Sequence, residues 1–324
     1  MKIIAELCQN HIGDINILKK MVEAAAQNGA THVKVQHIFA KNLVYRPVFE
    51  KGLSVNGVKY AICRPWKTEF QRIKALELTH KNYREFVDIC RSFNVEPLTT
   101  CFTRDQISAI RKQGFSEIKV ASYDCASYQL LRDLISAKFK RIYVSTGATH
   151  QEELRFAAEI LQSSNVPFEL LHCVTIYPTP LHNINLSRMR FLQKFKAPVG
   201  FSDHSSSQRF PNLASMVAIY LKAQVIERHF SILSPGDTKD GKISIGPSEL
   251  GKLAIFSKLP RYRQKEILDS HKYSWEKIIG NYRRYMSKPE LLNRAYYRGR
   301  FASRLSNRGP DSTEVVFNWE ETPL

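Results

Sequence analysis

The stretch from Val199 to Phe230 holds two residues that could grip a metal ion. It reads Val199-Gly-Phe-Ser-Asp-His204, then a helical segment, then Val225-Ile-Glu-Arg-His229-Phe230. Each end is a short apolar run that stops in a histidine. Between them Leu213, Met216, Val217, Tyr220 and Leu221 recur at helical spacing behind Pro211, a residue suited to a first helical turn. A strand, a helix and a strand result, with a histidine at the exit of both strands. In a parallel α/β architecture those exits are neighbours, so His204 and His229 could share one divalent ion as neutral imidazoles. Taken alone, each reads more readily as a satisfied, partly buried histidine, and the rest of the chain changes that balance.

Other polar residues also stand at the ends of apolar runs. They are Glu6, Asn10 and His11; Lys34 and Gln36; Thr99 and Thr100; Lys119, Ser122 and Asp124; Ser145 and Thr146; His172, Thr175 and Tyr177; Ser202 and Asp203; and Glu227. Lysines inside apolar strands are costly unless paired or functional. Converging with hydroxyls, Lys34 and Lys119 would form an anion site. With two imidazoles and nearby carboxylates, the residues alone point to a metal-assisted enzyme acting on a phosphorylated or carboxylated small molecule.

The elements that must position these residues alternate along the chain. Strands are expected at Lys2–Cys8, Thr31–Gln36, Val95–Phe102, Glu117–Ser122, Arg141–Ser145 and Phe168–Val174, and from Val199 and Val225. Asp14 can cap the first helix, whose apolar face is Leu18, Met21, Val22 and Ala25, and Asn28-Gly29 stops it. Thr149-His-Gln-Glu152 reads as a capping box. Leu186–Lys194 and Pro247–Ser257 read as helices. Residues 37–78 read as a long elaborated loop with short helical pieces over the site. Eight strands alternating with helices predict an α/β fold, a (β/α)8 TIM barrel over residues 1–257 with a short basic extension over 258–324. An open doubly wound sheet is the alternative, weakened by the lack of a Gly-rich phosphate fingerprint after the first strand.

Composition narrows the class. The chain of 324 residues carries a formal net charge of +18. The basic residues are spread out and no nucleic-acid motif appears, so an anionic small substrate explains the charge as well as a nucleic acid does. Six cysteines without a CxxC pair read as reduced core residues of a cytoplasmic protein. The first residues turn polar too early for a signal peptide, and no apolar run is long enough to span a membrane.

Several motifs together resemble the sialic acid synthases, which depend on phosphoenolpyruvate. They are Ala5-Glu6-Leu-Cys-Gln-Asn10-His11-Ile-Gly13-Asp14, Val33-Lys34-Val-Gln36, Ile118-Lys119-Val-Ala-Ser122 and Ser145-Thr-Gly147. Further on come Leu171-His172-Cys-Val-Thr-Ile-Tyr177-Pro-Thr179-Pro, Gly200-Phe-Ser202-Asp203-His204 and Ile226-Glu227-Arg-His229-Phe. The resemblance runs over roughly residues 2–255. It implies condensation of phosphoenolpyruvate with the open-chain aldehyde of an N-acylated amino sugar, such as N-acetylmannosamine. A nine-carbon 2-keto sugar acid forms and phosphate leaves.

By the same resemblance His204 and His229 would hold Mn²⁺ or Mg²⁺, which would polarise the aldehyde. Lys34, Lys119, Ser145 and Ser202 would bind phosphoenolpyruvate, with Ser122 and Thr175 in the same pocket. Glu6 and Gln36 would lie near the metal and the reacting centre. Tyr177 and Asp240 would face the sugar. Asp124 stands where the family commonly has a glutamate, one methylene longer, which would handle the attacking water. The departures cluster around the sugar half and imply an acceptor other than N-acetylmannosamine.

The extension resembles a truncated remnant of the family's antifreeze-like domain. The stretch Asn293–Ser303 is expected to be its first strand, and Arg298 or Arg300 to replace an arginine offered to the sugar. A homodimer is expected by likeness alone. Two other readings stay open: a related phosphoenolpyruvate-dependent 2-keto-3-deoxy sugar acid synthase, and a non-catalytic barrel that binds polyanions.

Overall fold

The computed structural model describes residues 1–283, 285–306 and 313–317. Eight strands form β1 (Lys2–Cys8), β2 (His32–His37), β3 (Glu96–Cys101), β4 (Glu117–Val120), β5 (Arg141–Ser145), β6 (Phe168–His172), β7 (Val199–Asp203) and β8 (Val225–His229). They close in chain order into one parallel barrel, with β8 pairing back onto β1. The architecture is the expected (β/α)8 barrel. Both faces of each strand are covered, as parallel sheets require, but only one layer of the inner face is apolar.

Side-chain alternation divides the core in two. Ile3, Ala5, Leu7, Val33, Val35, Ile118, Val120, Ile142, Val144 and Ile226 face outward into one large cluster with the helices. Ile4, Leu98, Tyr143, Leu171 and Val225 form a separate apolar layer inside the barrel. Below that layer the amino-terminal mouth is closed by ion pairs. Arg141 donates to Glu169 at 2.9 Å, and Lys2 pairs with the same carboxylate. Tyr143 donates to Glu117 at 2.7 Å. Above the layer, register sets Glu6 beside Lys34, Thr100 beside Lys119, and Ser202 beside Glu227.

The first helix, Ile15–Gln27, is capped by Asp14, buries Leu18, Met21, Val22 and Ala25, and ends before Gly29 at φ 85°. Strand ends shift by one or two residues from expectation. The fourth strand stops at Val120 because Ser122–Asp124 winds into a 3-10 turn. The helix expected over Leu186–Lys194 is shorter, Arg188–Leu192, and runs on into a 3-10 turn. The cap of Gln151–Gln162 lies one residue later than read, since Glu153 accepts from the His150 amide at 2.8 Å.

Residues 37–78 hold more structure than a loop with short helical pieces. The hairpin Leu53–Val55 and Val58–Ala61 turns at Asn56 and Gly57, both with positive φ. That is the Asn-Gly signature of a two-residue hairpin turn, which the sequence reading passed over. The helix Trp66–Leu76 follows. In the extension, the stretch from Asn293 is not a strand. Ser287 and Glu290 form a capping box that starts the helix Lys288–Tyr297, and strand begins only at Ala302. Ala302–Ser306 pairs antiparallel with Thr313–Phe317. Among the described residues no helix is long and apolar enough to cross a membrane.

Gly200 of β7 leaves no room for a side chain inside the barrel. A Cβ there would stand 2.5 Å from Leu171 Cδ2 and 2.5 Å from the Val225 carbonyl oxygen. Gly200→Ala is expected to destabilise the fold by about 1–3 kcal/mol, through overpacking. A denaturant midpoint lowered at unchanged m-value would show it; an unchanged midpoint would refute it.

Candidate active site

Where the strands end, a cavity of about 400 Å³ opens. From the barrel it is lined by Glu6 and Cys8 of β1, Lys34 and Gln36 of β2, Thr100 of β3 and Lys119 of β4. Ser145 of β5, Ser202 of β7, and Glu227 and His229 of β8 complete the ring, with Ser122, Tyr177, His204 and Asp240 from the following loops. The period of two explains the selection. Residues at i and i+2, such as Glu227 and His229, face inward, and the residue between faces the helices.

Lys34 and Lys119 converge on Glu227. Lys119 Nζ lies 3.1 Å from one carboxylate oxygen and Lys34 Nζ 3.4 Å from the other. Lys34 also pairs with Glu6 and donates to Thr100 Oγ1 at 3.1 Å. Lys119 donates to Ser145 Oγ at 2.7 Å, and Ser202 donates to Glu227 at 2.6 Å. Every member is buried. Burial alone would raise the Glu227 carboxyl, but Lys119 and Lys34 outweigh it and hold it well below the usual carboxylate range. Burial pushes Lys34 down to about 7, against the pull of Glu227 and with the push of Lys119. Hydroxyls and ammonium groups fixed this way are preorganised for an anion.

The histidines stand beside this cradle, their ring centroids 5.3 Å apart and edge to face. His204 Nδ1 lies 2.9 Å from the Val174 carbonyl oxygen. A carbonyl only accepts, so Nδ1 carries the proton and Nε2 keeps its lone pair. Burial lowers the pKa of both rings; for His229 the neighbouring His204 lowers it further. Neutral imidazoles result, the form that binds metals. On β1 and in the loop after β8, Cys8 Sγ and an Asp240 carboxylate oxygen lie within 4.8 Å of each other and of a His229 ring nitrogen. Burial, then Asp240, pushes the Cys8 thiol well up. These donors fit a divalent ion.

Eleven of the thirteen residues proposed from sequence for catalysis, substrate or metal line this one cavity. Asp124 and Thr175 do not. The 3-10 turn Ser122–Asp124 presents Tyr123 to the cavity, where it stacks on Tyr297 with centroids 4.8 Å apart. Asp124 turns instead to a smaller neighbouring hollow and accepts from Ser127 at 3.3 Å. The carboxylates that reach the cavity are therefore Glu6, Glu227 and Asp240. Thr175 packs against Gly147. Asn10, His172 and Asp203 also point away: Asn10 donates to the Phe230 carbonyl at 3.0 Å and His172 to the Ile184 carbonyl at 2.7 Å.

Further groups line the cavity beside those eleven. Glu227 was placed at a strand end, yet it organises both lysines. Arg64, Arg72 and Lys239 enter from the segment over residues 37–78 and the loop after β8. Asn293, Tyr297 and Arg300 come from the extension. Of the two arginines proposed there, Arg300 lines the cavity and pairs with Glu69 at 2.9 Å, whereas Arg298 is buried against Glu153 at 2.9 Å.

Residues 21–259 match the NeuB family. The chain belongs to the NeuB family. It is 31% identical over 255 residues to the N,N'-diacetyllegionaminic acid synthase of Campylobacter jejuni subsp. jejuni, covering 78% of this chain and 73% of that relative. It is 26% identical over 311 residues to a pseudaminic acid synthase of the same subspecies, covering 95% and 83%. Among solved structures it resembles the N-acetylneuraminic acid (sialic acid) synthetase of Leptospira borgpetersenii serovar Hardjo-bovis, solved with citrate. There the TM-score is 0.67 and the identity 27%, over 84% of this chain and 85% of the other.

In this NeuB chain the outward residues of β7 and β8 hold the rim that carries His204. Arg228, fully buried, pairs with Asp203 at 3.3 Å and donates to the carbonyls of Asp203, Ser205 and Pro211. Arg228→Ala is expected to lower stability by about 3–5 kcal/mol, because Asp203 is left buried and uncompensated. Denaturant unfolding would measure it, and a loss under about 1 kcal/mol would show that the pair does not hold the rim.

Proposed function

We propose that this NeuB-family chain condenses phosphoenolpyruvate with the open-chain aldehyde of an N-acylated amino sugar. The products are a nine-carbon 2-keto sugar acid and phosphate. The observation that carries the reading is the buried cradle of Lys34, Lys119, Ser145 and Ser202 standing beside two neutral histidines in one cavity. The names of the relatives support the class of acceptor.

In this reading Lys34 and Lys119 meet the carboxylate and phosphate of phosphoenolpyruvate, and Ser122, Ser145 and Ser202 fix their orientation. The cavity carries six lysine and arginine side chains against three carboxylates, a balance suited to a multiply charged anion. The bond from C3 of phosphoenolpyruvate to the aldehyde carbon forms, and the aldehyde oxygen gains a proton. Water adds at C2, the bond from C2 to the phosphate oxygen breaks, and phosphate leaves with that oxygen. Glu6, held by Lys34 and by the Cys8 amide at 2.6 Å, is the carboxylate placed to take the proton of the water. A divalent ion at His204 and His229 supplies Lewis-acid polarisation of the aldehyde oxygen when bound. Gln36 and Tyr177 face the same space.

The sugar half is built by Asp240, Lys239, Asn293 and Arg300, from the loop after β8 and the extension. Residues 1–257 thus act as the catalytic barrel, and residues 258–324 contribute an edge of the acceptor pocket.

Purified protein with a divalent metal, phosphoenolpyruvate and a panel of mono- and di-N-acylated amino sugars should release phosphate with at least one sugar. No release with any of them would sink the reading. Lys119→Met should lower kcat/KM on the order of 100-fold, through loss of a preorganised cation. Arg300→Ala should raise KM for the sugar about tenfold, some 1.4 kcal/mol, with KM for phosphoenolpyruvate little changed. Equal shifts in both constants would remove Arg300 from the acceptor side.

A further inference from the structure

Cys8 is buried, yet its sulfur opens onto the cavity. Sγ lies 3.4 Å from His229 Nδ1, and Gln36 Nε2 donates to it at 3.2 Å. An Asp240 carboxylate oxygen and a ring nitrogen of His229 both stand within 4.8 Å of it and of each other. A cysteine kept only for packing would face apolar neighbours. This one faces a nitrogen and an oxygen donor, and an amide N–H is aimed at it, as suits a sulfur bearing negative charge.

We propose that Cys8 is a metal ligand, its thiolate joining His229 and Asp240 around the divalent ion of this site. This rests on the reading of the cavity as a metal-assisted synthase site and makes it more specific. The thiol proton passes to solvent as the metal–sulfur bond forms, because a coordinating thiol is deprotonated outright. A sulfur, nitrogen and oxygen set favours softer first-row ions such as Zn²⁺, Fe²⁺ or Co²⁺ over Mg²⁺, which prefers oxygen ligands. It also moves Asp240 from the sugar to the ion. Gln36 becomes a positioning residue, holding the sulfur through its amide.

Co²⁺ titration of the metal-free protein tests this without turnover. The expected result is a near-ultraviolet sulfur-to-cobalt charge-transfer band that saturates at one ion per chain. Cys8→Ser should abolish the band and weaken Co²⁺ binding about 100-fold, and Cys63→Ser, which removes the exposed thiol, should leave it intact. Gln36→Leu should keep the band and weaken binding about tenfold, the lower end for loss of a group that orients a ligand. The wild-type band needs no variant to fold. Co²⁺ binding without a band, a band that survives Cys8→Ser, or no Co²⁺ binding would overturn the proposal. The synthase reading is tested separately, by phosphate release from phosphoenolpyruvate.

Discussion

Four buried charges inside one end of the barrel constrain everything around them. Lys34, Lys119, Glu6 and Glu227 are each almost fully withdrawn from water. An isolated buried charge costs several kcal/mol, so none of the four is tolerable alone. They coexist because the register of β1, β2, β4 and β8 brings opposite signs together. A slip of one residue in any of these strands would turn its charge out among the helices. Beneath them the layer of Ile4, Leu98, Tyr143, Leu171 and Val225 keeps the lower ion pairs apart from the upper group. The fold and the cradle are therefore specified by the same pairing.

Adjacent residues of the same two strands do opposite work. On β7 and its exit, Ser202 and His204 face the cavity while Asp203 faces out. On β8, Glu227 and His229 face in while Arg228 faces out. The outward pair ties together the carbonyls that follow β7, which fixes the path of the chain at His204. The Val174 carbonyl then sets the ring's proton on Nδ1. The His204 imidazole is thus oriented from outside the cavity, by groups that do not line it.

Much of this was legible because it is local or periodic. The barrel follows from eight apolar runs alternating with amphipathic helices, and most site residues follow from alternation at the strand ends. Cys8 shows where that signal stops. The β1–β2 register breaks between Glu6 and Cys8, and Cys8 takes a positive φ of 48°, so alternation does not place its sulfur and an apolar run made it read as core. Asp124 lies outside the cavity for a different reason. The turn after β4 is set by local winding, which rotates Tyr123 rather than Asp124 into the opening. The hairpin over Leu53–Ala61 was missed because its strands are three and four residues long and mostly exposed, leaving almost no hydrophobic pattern.

That residues 37–78 lie over the cavity was legible, but how the cover is built was not, because contacts between distant segments build it. Phe49 and Ala61 pack with Tyr296, and Leu43 and Ile38 pack with Phe301. Arg46 donates to three carbonyls of the extension, at Ala295, Tyr296 and Arg298. Arg294 reaches back to Glu153, and Asn293 donates to the Thr175 carbonyl at 2.7 Å. The segment over residues 37–78 and the extension therefore hold each other, and together they carry Arg64, Arg72 and Arg300 to the cavity edge. The barrel end must keep its charge quartet, because none of the four charges is tolerable there alone. The cover is free of that condition. Its residues can therefore vary in a way that those of the strands cannot.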